Sequence, residues 1–202
     1  GSISIDAFYG GNATLSIDHA SLDIGGCNTT ISIDAWDGGT AVLAFNDSSV
    51  DIYGNFNLGS CDPCGESVLS VVNSTVNFDG TDGEHFYAND NSLITVSAYC
   101  GGDSELTLHN YGYSYPDNGY YGDAYINGSI SIDAFYGGNA TLSIDHASLD
   151  IGGCNTTISI DAWDSGTAVL AFNDSSVDIY GNFNLGSCDP CGESVLSVVN
   201  ST

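Results

Sequence analysis

The chain has 202 residues, with no Lys, no Arg and 26 acidic residues, giving a formal charge of -26. Without a permanent cation there is no phosphate clamp and no polybasic membrane patch, so nucleic-acid binding is excluded as a function. No apolar run approaches membrane-spanning length, and the apolar fraction of 42% is enough for a core.

The first element is Ile3-Ser-Ile-Asp-Ala-Phe-Tyr-Gly-Gly, an alternating run stopped by a Gly pair. Next comes Asn12 to Gly26, in which Leu15, Ile17, Leu22 and Ile24 alternate with Ser16, Asp18 and Asp23. This pattern predicts two short strands and a turn. The phrase returns, altered, at 31–54, again at 56–80 in degraded form, and at 94–109. Each restatement carries up to three strand types, ISIDA-like, LSID-like and LDI-like, separated by Gly/Asn/Asp/Ser turns. Residues 128–202 then repeat residues 1–75 at an offset of 127, differing only in Ser165 for Gly38. A Ser where Gly stood predicts that this turn does not demand a positive φ.

Strand types recurring in fixed order predict stacked rungs, each burying its apolar face on its neighbours. The expected fold is all-β, a parallel β-helix (solenoid) with three short strands per rung and about four rungs per 127-residue repeat. An antiparallel β-sandwich is the rival, but it has no need to repeat strand types in order. Residues 1–127 form the first repeat, with loops at 81–91 and 111–127. Residues 128–202 form a partial second repeat continuous with the same solenoid. Four rungs predict an axial repeat of about 19 Å. The L-x-I-x-x-x-S-L-x-I-G-G pattern, seen at Leu15 to Gly26, resembles right-handed parallel β-helix proteins of the pectin-lyase-like and adhesin-like kind. That resemblance implies architecture only. The lyase members depend on a basic residue, usually Arg, and this chain has none.

Seven cysteines and nine Asn-X-Ser/Thr sequons point to an oxidising, secretory setting. The sequons begin at Asn12, Asn28, Asn46, Asn73, Asn127, Asn139, Asn155, Asn173 and Asn200. A Ser/Thr/Asn-rich turn composition is the plainer reading of the same residues. Asn46 and Asn73 are expected in equivalent turns, so glycans there would form columns down the outside. The Cys61-Asp-Pro-Cys64 motif has neither the helix of a redox pair nor a second ligand pair for zinc. Aligned rungs place Cys64 and Cys100 in equivalent turns, which favours the disulfides Cys64–Cys100 and Cys27–Cys61 among three possible connectivities. Gly1-Ser2 recurs as Gly128-Ser129, so the chain reads as an interior piece of a longer secreted protein.

Register also stacks Asp6 on Asp34 and Asp23 on Asp51. Like charges about 5 Å apart need water, screening or a cation, and Ca2+ is the natural candidate. Such pairs meet the spacing of a glycosidase trivially, because the repeat imposes it. His19 (repeated as His146), His85 and His109 read as turn or surface residues, and no enzyme activity is expected. The segment 111–125 holds Tyr111, Tyr113, Tyr115, Tyr120, Tyr121 and Tyr125, a candidate assembly or sugar-stacking surface. Together these features predict a structural, self-associating subunit of an extracellular filament, such as a mastigoneme shaft. The alternative is the stalk of an adhesin or carbohydrate-binding surface protein.

Overall fold

Period-two alternation gives every strand one apolar face, and stacking turns all those faces toward a common interior. The computed structural model describes residues 1–25, 29–61, 65–80, 85–88, 92–111, 124–188 and 192–202, with 60, 61, 153–155 and 188 described by backbone alone. The described residues contain strands and turns but no helix. They wind as a parallel β-solenoid of about six turns.

Three strand columns run along it. The first holds β1 (Ser2–Ala7), β4 (Thr30–Trp36), β7 (Asn55–Cys61), β10 (Phe86–Ala88) and β13 (Ala124–Ile126). The second holds β2 (Asn12–Asp18), β5 (Thr40–Asn46), β8 (Glu66–Val72), β11 (Ser92–Tyr99) and β14 (Ser129–Phe135). Strands β16 (Ser148–Trp163) and β18 (Ser176–Cys188) are long enough to bend through both of these columns. The third holds β3 (Ser21–Ile24), β6 (Ser49–Tyr53), β9 (Thr75–Asp79), β12 (Asp103–His109), β15 (Asn139–Asp145), β17 (Thr167–Asn173) and β19 (Glu193–Val199). Expected registers are present: Leu15 lies on Leu43, Asp6 on Asp34, and Asp23 on Asp51.

The repeat does not close on whole turns. Sequence alignment of the rungs sets Ile94 above Phe56, yet Phe56 is followed by Phe86, and Ile94 lies on Leu69 in the next column. The segments expected to be loops, 81–91 and 111–127, each contain a strand, β10 and β13. With these included, thirteen strands precede β14, the copy of β1, among the described residues. The long repeat is therefore four and one-third turns, and β14 stands in the second column where β1 stands in the first. Phe56, Phe78, Phe86 and Tyr111 fill the core at this slip, with Phe56–Phe78 and Phe56–Phe86 ring centroids 4.7 and 5.0 Å apart.

The Gly pairs divide their labour. Gly38 has φ +77, and Ser165 keeps φ +69, so the turn does require a positive φ, contrary to the expectation drawn from that substitution. Ser is accepted because a Cβ at Gly38 meets nothing within 4 Å, leaving only the left-handed backbone cost of about 1–2 kcal/mol. The second Gly is needed for space. A Cβ at Gly39 would stand 2.6 Å from the Ala7 carbonyl oxygen, and at Gly166 2.5 Å from that of Ala134.

Candidate functional site: the outer faces and the open ends

The inward residues of the interior turns are sealed in a continuous core, which leaves the flanks and the ends as the accessible surfaces. The flanks are acidic ladders. Within each ISID strand a Ser two residues earlier donates to the Asp: Ser4 Oγ to Asp6 at 2.8 Å, Ser32 to Asp34 at 2.6 Å, Ser131 to Asp133 at 2.8 Å and Ser159 to Asp161 at 2.6 Å. Asp51 accepts instead from the Asn77 amide of the next rung at 2.8 Å. These donors offset part of the repulsion between stacked carboxylates. Burial still pushes the Asp133 carboxyl above its ordinary range; the Ser131 hydroxyl pulls it down, and the Asp161 charge adds to the rise. Asp51, some burial, and then Asp23 and Asp79 raise the Tyr53 hydroxyl. Among the described residues, three-donor groupings of His, Cys, Asp and Glu occur at Asp18/His19/Asp47 and His109/Asp145/His146. The Ca2+ candidates Asp6, Asp34, Asp23 and Asp51 belong to neither.

Asn46 and Asn73 share the corner after the second column but sit one position out of register. Asn46 ends β5 and lies on Val72, whereas Asn73 is a turn residue with φ +46, equivalent to Asp47. Both amides are tied between rungs: Asn46 Nδ2 donates to Ser16 Oγ at 3.1 Å, and Asn73 Oδ1 accepts from the Tyr99 amide at 3.0 Å. Asn173 repeats the first arrangement on Ser143 at 3.3 Å, and Asn139 Nδ2 reaches Asp103 at 2.8 Å. Asn12 and Asn200 are exposed, and Asn127 is half-buried. Asn28 lies outside the described residues, and Asn155 is described by backbone alone. The Ser of the Asn46 sequon faces inward: Ser48 Oγ donates to the Asn46 carbonyl and accepts from the Ala20 amide, while the Ser48 amide donates to Ser74 Oγ. Part of the Asn-X-Ser excess is thus a serine ladder at a solenoid corner.

Cys100 is exposed and its thiol is free. Cys27 and Cys64 lie outside the described residues, and Cys61 is described by backbone alone. The pairings Cys64–Cys100 and Cys27–Cys61 thus each include a residue outside the described ones. β8 and β11 share one column, so Cys100 follows its far end, a strand length of roughly 23 Å from Gly65.

Tyr111, expected on an assembly surface, is a core residue. It is 1% exposed, and its hydroxyl donates to the Gly54 carbonyl at 2.9 Å. Gly80 makes the room, since a Cβ there would stand 2.7 Å from the Tyr111 ring. Tyr125 stacks on Tyr87 with centroids 4.7 Å apart, folded against its own rungs. Tyr113, Tyr115, Tyr120 and Tyr121 lie outside the described residues. A different aromatic ladder stands on the flank: Tyr99 on Phe135 at 5.1 Å and Phe135 on Trp163 at 6.5 Å, with Tyr99 and Trp163 each 41% exposed.

The end turns expose what interior turns bury. Leu58 is 0% exposed beneath Ala88, and its copy Leu185 is 53% exposed; Val71 and its copy Val198 are 0% and 55%. Among the described residues no helix is long and apolar enough to cross a membrane. The chain matches no family model, no curated protein and no solved structure.

Proposed function

We propose that the chain is a length of the shaft of a secreted, N-glycosylated extracellular filament, built by rung stacking and the same unit-to-unit contact at every step. The observation that carries this reading is the junction between repeats. β14 and β15 sit on β11 and β12 by the same parallel, in-register pairing that joins rungs within a repeat. Such a joint has no terminus of its own and can be repeated indefinitely. The uncovered apolar rungs at both ends are the surfaces that further turns, of this chain or another copy, would cover. The acidic flanks oppose lateral clumping, and the absence of Lys and Arg removes every trypsin-type cleavage site. Hair-like appendages of protist flagella are a setting that matches this profile.

Electron microscopy of the purified chain and of the native material tests the reading. Rods or filaments of uniform width with a cross-β spacing of about 4.8 Å along their axis are expected. Monodisperse particles that never associate end to end would overturn it. The flank ladder of Tyr99, half-buried Phe135 and Trp163 favours a second reading, the stalk of a carbohydrate-binding surface protein, since stacked rings suit sugar faces. Saturable oligosaccharide binding lost in Trp163→Ala would favour that reading.

A further inference from the structure

The joint between the two repeats carries a cluster that no short sequence motif marks. In the third column His109 lies on Asp145, with Asp79 on its other side, and Asn173 follows Asp145. The next residue of each rung turns outward through a positive φ, at Asn110 (+61) and His146 (+49). Two imidazoles from different repeats therefore converge on one carboxylate. His146 Nδ1 is 3.0 Å from Asp145 Oδ1, and His109 Nε2 is 3.5 Å from Asp145 Oδ2. The rings meet edge to face, 5.7 Å apart.

From this geometry we propose a transition-metal site of the zinc class, with His109, Asp145 and His146 as its protein ligands and water completing the shell. One nitrogen or oxygen from each residue lies within 4.8 Å of the others. Tetrahedral zinc with bonds of about 2.0–2.1 Å places ligand atoms about 3.3 Å apart, so a modest closure is needed. His146 can supply it, since its side chain is 52% exposed and can change rotamer. Imidazole and carboxylate donors suit Zn2+, Cu2+ and Ni2+ over Ca2+. On the far side of the first ligand, the Asn110 side-chain amide lies 3.2 Å from His109 Nδ1 and donates to Asp79 Oδ1 at 3.2 Å, so an amide backed by a carboxylate orients the ring. The chain holds an internal comparison. The identical Asp18-His19 pair has no rung below it and gathers Asp47 in place of a second histidine. Because His109 belongs to the first repeat and Asp145 and His146 to the second, the ion would clamp successive repeats once at every junction. This inference does not depend on the filament reading.

The experiment is titration of the whole 202-residue chain, cysteines alkylated and metal stripped, with Zn2+ alone, followed by calorimetry and X-ray absorption. One saturable site per chain is expected, with a nitrogen/oxygen shell at about 2.0–2.1 Å that includes two imidazoles and no sulfur. His109→Gln and His146→Gln should each weaken it at least tenfold, whereas His19→Gln should leave it unchanged. If a variant misfolds, the absorption spectrum of the unaltered chain decides alone, through its imidazole count. No saturable site, a shell with fewer than two imidazoles, or equal affinity in the His109 variant would overturn the proposal.

Discussion

Ile5 and Ile132 are the same residue of two copies of one sequence, yet Ile5 stands in the first strand column and Ile132 in the second. Each has the expected partner one rung on, Ile33 and Ile160, so pairing within a repeat is preserved while the whole repeat rotates by one column. Thirteen rungs are needed before a residue returns to its own face. In a longer tandem array the rise per repeat is therefore about 21 Å with a one-third rotation, and the true axial period is about 62 Å, rather than about 19 Å without rotation. Helical reconstruction of such an array measures both. A meridional rise of about 19 Å with no rotation would refute the slip.

The Gly38/Ser165 pair makes a stability prediction in which backbone and packing separate. Ser165→Gly relieves the left-handed strain without touching a neighbour and should stabilise the chain by about 1 kcal/mol. Gly166→Ala, one residue on, drives a Cβ into the Ala134 carbonyl and should destabilise by about 1–3 kcal/mol. Urea unfolding midpoints of the two variants should move in opposite directions.

Much of the fold is legible because a repeat offset is itself a register. The offset between Ile3 and Ile31 also sets Leu15 on Leu43 and Asp23 on Asp51. The slip is not legible. Strands Phe86–Ala88 and Ala124–Ile126 are too short to display alternation, and their neighbours are mostly Gly, Asp and Asn. Leu69 and Phe56 are both large, apolar and inward, so nothing local assigns Ile94 to one column or the other. The histidine cluster is within reach of the sequence. The offset that puts Ile94 on Ile130 also puts His109 on Asp145, but the two residues are too far apart in the chain to form a short motif.

The serine ladder separates folding from glycosylation at one sequon. Ser48→Ala removes the acceptor for the Ala20 amide and the donor to the Asn46 carbonyl at a site 6% exposed, at a cost of about 1–3 kcal/mol. Asn46→Gln abolishes any glycan there and gives up only an exposed amide bond to Ser16, within about 0.5 kcal/mol of neutral. Thermal melts of unglycosylated protein should rank Ser48→Ala well below Asn46→Gln. Equal melting temperatures would mean that the corner hydroxyls do not hold the rungs together.

Asp133 gives the chain a pH dependence opposite to that of a salt-bridged carboxylate. Burial, with the neighbouring Asp161 charge, raises its folded pKa above the ordinary 3.8, against the smaller pull of Ser131. The folded state then holds this proton more tightly than the unfolded chain does. Its contribution is complete below the unfolded value of 3.8 and is lost as pH rises through the folded pKa. At neutral pH the ionised carboxylate therefore works against the fold. Asp133→Asn keeps an oxygen to accept from Ser131 and removes the charge, so its melting temperature should exceed that of the unaltered chain at neutral pH. The gain should shrink toward zero below the unfolded value, where the native carboxyl is itself protonated. Melting curves of both proteins across that range test the sign directly, and a gain that grows on acidification would place the origin of the effect elsewhere than this buried charge.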